Sequence, residues 1–73
     1  MENGYRSLAA AIVLQAIKDY RKAAKRYKAG KAKEKSLWEM QEIAKFIRSG
    51  WFRVLTDLDP DAVLERLKEE FEI

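Results

Sequence analysis

Apolar residues recur at three- and four-residue steps along nearly the whole chain, and nowhere do apolar and polar residues alternate. That pattern leaves the chain helices to build with and no sheet. With three glycines and one proline in 73 residues, few points can interrupt them. The breaks fall at Gly30, at Ser49-Gly50 and between Asp57 and Pro60, which predicts an all-α bundle of three to four helices in a single domain, residues 1–73. A chain of this size makes only one small core, and with no cysteine for disulfides it depends on dense helix packing or on self-association.

The first helix is expected over about residues 5–29. Tyr5, Ala9, Ile12, Val13, Ala16, Tyr20, Ala23, Ala24 and Tyr27 share one broad face of it. Gly30 is a natural stop, and Lys25, Arg26 and Lys28 complement the dipole in the last turns. From Leu8 to Leu14 the helix is apolar nearly all round, so this part is expected to be more deeply buried than the rest, within the domain or against a second copy in a homodimer. The uncharged stretch Ser7–Ile17 contains Gln15 and is far shorter than the roughly 20 apolar residues that span a bilayer. Arg6 and the alanines imitate a secretory leader only faintly, since the periodicity runs straight on to Tyr27; no membrane association and a cytoplasmic location are expected.

The second helix is expected over about 36–49. Ser36-Leu-Trp-Glu39 fits a capping box, and Leu37, Met40, Ile43, Ala44 and Ile47 form its stripe. Trp51-Phe52-Arg-Val-Leu55 reads as a short third helix or a single turn plugging the core, at about 51–56. Asp59 as N-cap, Pro60 at the first helical position and Asp61 at the positive dipole end open a fourth helix, about 60–72, with Val63, Leu64, Leu67 and Phe71 on its stripe. The spacing of Asp57, Asp59 and Asp61 resembles the start of a calcium loop, but Ala62 stands where glycine is needed and Lys68 where the closing glutamate belongs; capping is the expected role.

The net charge of +3 conceals a split. Residues 1–33 hold nine Lys/Arg and two acids, and residues 34–73 hold six and ten, so the halves carry +7 and −4. Lys18, Arg21, Lys22 and Lys25 lie on one face of the first helix, flanked by Arg26 and Lys28 and extended by Lys31 and Lys33. Three roles are open to this strip: tracking a phosphate backbone, serving as a solvated face, or meeting acid. The acid would come from a partner, or from the chain's own Glu65, Glu69, Glu70 and Glu72. Arg48, Trp51 and Arg53 form a secondary candidate, a stacking platform for unpaired bases with arginines on phosphates; the alternative is that the aromatics are core. Without cysteine or histidine, and without a glycine-rich phosphate loop, there is no convincing nucleophile and base pair, metal set or cofactor motif, so no enzyme is expected.

The strings Ala11-Ile-Val-Leu-Gln-Ala-Ile-Lys-Asp-Tyr-Arg-Lys-Ala23 and Phe46-Ile-Arg-Ser-Gly-Trp-Phe-Arg-Val-Leu-Thr-Asp-Leu-Asp59 resemble a group of small helical proteins encoded by phages and integrated elements of Gram-positive bacteria. That group is of unassigned function, so the resemblance carries over no site residues. It implies a mobile-element protein acting in a bacterial cytoplasm. Such a protein would bind a host protein or nucleoprotein complex, as an anti-CRISPR-type inhibitor does, or serve as a small nucleic-acid-binding accessory through the basic face of its first helix. The group carries a polar residue where this chain has Gly50, so the second helix either breaks there or runs on.

Overall fold

A computed structural model describes residues Glu2–Glu72, with side-chain surroundings from Leu8 onward. The architecture is an all-α bundle: α1 (Glu2–Lys28), α2 (Lys33–Arg48), α3 (Gly50–Leu55) and α4 (Pro60–Phe71). Among the described residues there is no strand, and no helix is long and apolar enough to cross a membrane.

Helix α1 begins earlier than the periodicity indicated. It ends where expected, because Gly30 takes φ 75° and closes a Schellman turn, its N–H donating to Tyr27 O at 3.1 Å and that of Lys31 to Arg26 O at 2.9 Å. The capping box at Ser36 is not used. Ala32 adopts the left-handed conformation, φ 44° and ψ 52°, and turns the chain within two residues of Gly30, so the good helix formers Lys33, Glu34 and Lys35 already lie in α2. The N–H of Ser36 donates to Ala32 O at 2.8 Å. Its side chain is buried within the helix, and the hydroxyl donates to Lys31 O at 3.3 Å.

Helix α2 does break, at Ser49 and not at Gly50. Ser49 is extended, with ψ 162°, and both its N–H and its hydroxyl donate to Phe46 O, so the side chain competes with the next helical bond. Gly50 then starts α3. At α4 the sequence expectation holds: Asp59 Oδ1 accepts from Asp61 N at 3.1 Å and Pro60 occupies the first turn.

The core is made by Val13, Tyr20, Ala23 and Ala24 of α1, Met40 and Ile47 of α2, Phe52 of α3, and Leu64 and Leu67 of α4. The stripes read from the sequence supply all of it except Phe52, which comes from the apolar segment expected to plug the core. The expectation for Leu8–Leu14 is reversed within one chain: Leu8 and Leu14 are more than half exposed and Ile12 is exposed too, while Val13 and Ala9 are buried. The reason is length. With 27 residues α1 runs about 40 Å and α2, with 16, about 24 Å, so α2 cannot cover all of α1, and the six-residue α3 adds little. The long axis of 44 Å against 19 and 18 Å reflects that mismatch. Tyr5, assigned to the same face, has its side chain outside the described residues.

Candidate interaction surface

All six cations of the basic strip are exposed on α1, but acids from two other helices stand beside them. Arg21 Nε lies 3.3 Å from Glu70 Oε2 of α4. Lys25 and Lys28 share a shallow groove with Glu70, Phe71 and Glu72. On the opposite flank, Lys22 borders a hollow with Asp19, Trp38, Glu39 and Glu42. Lys18 and Arg26 are exposed. The +7 and −4 halves of the chain thus fold against each other, and a phosphate backbone laid along α1 would meet Glu70, Glu72, Glu39 and Glu42 on either side.

The secondary site divides. Trp51 is 69% exposed, whereas its neighbour Phe52 is fully buried; of the two aromatics expected in the core, one is there. Their directions differ by about 100° around α3, so only one can face inward. Arg48 Nε stands 3.8 Å from Asp61 Oδ1, and Arg53 borders a depression with Asp57 and Asp59. Both arginines stand near exposed carboxylates.

Other large apolar side chains also lie at the surface, of which only Trp51 is a candidate site residue from the sequence. Trp51 and Val54 of α3 are 69% and 67% exposed, three residues apart and so on one side of the helix, and Leu58, in the loop after extended Thr56 ends it, is 51% exposed. Trp38 is exposed on α2, almost diametrically opposed to Ile47. For Trp38 the signal is in the sequence: it is a large apolar residue out of phase with the stripe of its own helix. A cleft between α2 and α4, about 480 Å³, is lined by Tyr20, Leu37, Met40, Gln41, Ala44, Lys45, Arg48 and Lys68. Tyr20 forms its floor and is buried, and burial raises the pKa of its hydroxyl above the ordinary tyrosine value.

Comparison of the chain with family models, with curated proteins and with solved structures finds no match.

Proposed function

We propose that the chain is a non-enzymatic interaction protein of a phage or mobile element, acting by occupying the surface of a bacterial host protein or nucleoprotein complex. What supports the reading above all is the exposure of Trp51 and Val54 on one side of α3, with Leu58 exposed in the loop that follows, three bulky apolar side chains each more than half exposed in a molecule with one small core. Exposed tryptophan is costly to leave in water and is among the residues that carry most of the binding energy in protein interfaces. An inhibitor that blocks a site needs such an anchor and no catalytic group.

The alternative, a nucleic-acid-binding accessory using Lys18, Arg21, Lys22, Lys25, Arg26 and Lys28, is weakened by the acids flanking the strip. Affinity capture from a bacterial lysate separates the two. Wild type is compared with Trp51→Asp/Val54→Asp, whose substitutions fall on exposed positions and leave the core intact. Retention of one host protein by wild type and its loss in the variant support the reading; recovery of nucleic acid alone overturns it.

A further inference from the structure

The cleft between α2 and α4 brings three features together. Its wall is aliphatic, made by Leu37, Met40 and Ala44. Its floor is Tyr20, only 3% exposed, whose hydroxyl makes no hydrogen bond among the described residues. No fully buried side-chain polar atom is left without a partner among those residues, so this hydroxyl reaches the open space of the cleft. Its rim carries Lys45, Arg48 and Lys68. Lys45 lies 3.9 Å from Glu42 and Arg48 3.8 Å from Asp61, loose contacts between exposed side chains that a better-placed carboxylate can replace at little cost. Lys68 has no ion pair among the described residues.

We infer that this cleft docks an acidic segment of a partner protein, which seats one bulky apolar side chain on Leu37, Met40 and Ala44 over Tyr20 and places neighbouring carboxylates on Lys45, Arg48 and Lys68. The inference rests on the reading of the chain as a protein-binding module and names the chemistry of the segment bound. The cations select acid, and the aliphatic wall suits a hydrocarbon side chain; Tyr20, only 3% exposed, offers no open ring face on which a nucleobase could stack. The cleft is open along one side. Roughly half open to solvent, it encloses a free small molecule less than the sites that hold such ligands, which cover about 70–90% of them. A side chain delivered by a larger surface needs no such enclosure.

The test is selection of a displayed random 12-residue peptide library on the immobilised full-length protein, followed by titration of a synthetic copy of the enriched peptide. The expected consensus is a Leu, Ile, Phe or Trp with at least two Asp or Glu nearby. Affinity should fall by about 10-fold or more in Arg48→Glu/Lys68→Glu. Circular dichroism and thermal melting confirm that each variant is folded. An enriched sequence without acids, unchanged affinity in the folded Arg48→Glu/Lys68→Glu variant, or displacement of the peptide by a short oligonucleotide at lower concentration overturns the assignment. Peptides lost on Trp51→Asp/Val54→Asp but not on Arg48→Glu/Lys68→Glu overturn the cleft and leave the protein-binding reading standing. A library that yields no binder counts against both.

Discussion

Arg21 Nε and Glu70 Oε2, 49 residues apart in the chain, meet at 3.3 Å and tie the basic helix to the acidic one. The contact sets acid beside the basic strip: α4 lies along the flank of α1 that holds Arg21, Lys25 and Lys28. Both side chains are nearly half exposed, which limits what the pair contributes. A double-mutant cycle with Arg21→Ala and Glu70→Ala is expected to give a coupling of about 0.2–1 kcal/mol that shrinks as salt rises toward 1 M. Chemical denaturation of the four proteins at two salt concentrations measures it.

Gly30 and Gly50 should respond to alanine with opposite signs. Gly30 holds φ 75°, where a Cβ costs about 1–2 kcal/mol, so Gly30→Ala should lower Tm. Gly50 has no positive φ, and a Cβ there meets nothing within 4 Å, so Gly50→Ala should stabilise by about 0.4–1 kcal/mol. At roughly 4–8 °C per kcal/mol in a domain of this size, thermal melting resolves both.

Neighbouring residues on α1 test the register of the bundle. Val13 is buried and Leu14 more than half exposed. Val13→Ala is expected to cost about 2 kcal/mol, from two lost carbons and the space they leave, while Leu14→Ala stays within about 0.5 kcal/mol. Equal costs in urea denaturation would place Leu14 under cover, as a second copy of the chain seated on it would do.

Tyr20 gives the fold a pH dependence. Burial raises its folded-state pKa above the usual value of 10.0, so between that value and the folded pKa the unfolded chain has lost a proton that the folded chain keeps. The stabilisation tied to the buried neutral phenol is therefore full below pH 10 and falls as pH rises through the folded pKa. Removing the hydroxyl should flatten that loss: the stability of Tyr20→Phe should decline less than that of wild type above pH 10. The difference between the two proteins' absorbance titrations isolates the Tyr20 curve, whose midpoint is expected above 10.

Features set within a few residues were readable in advance. Gly30 as a helix stop and Asp59-Pro60 as a helix start depend on backbone preferences of those residues alone, and both stand in the structure. The core stripes of α1, α2 and α4 follow from periodicity in the same way. Ser36 was misread because its capping pattern is also local, yet the left-handed Ala32 and three good helix formers start α2 before it. Leu8 and Leu14 are apolar enough for a core, but their cover depends on how far α2 and α3 reach, which no window on α1 contains. The candidate surface suffered most. Whether Arg21 faces solvent or Glu70, and whether Lys45, Arg48 and Lys68 rim one cleft, is decided by the rotation of α4 about its own axis against α1 and α2. Trp51 and Phe52 show the limit at its sharpest: adjacent aromatics, one outward and one sealed in.

Capture from bacterial lysate after nuclease treatment decides between a protein and a nucleic acid as the partner. A protein-binding module retains one host protein at a fixed ratio through the nuclease step and loses it in Trp51→Asp/Val54→Asp. Recovery of nucleic acid with no host protein, or capture that persists unchanged in the folded variant, contradicts it.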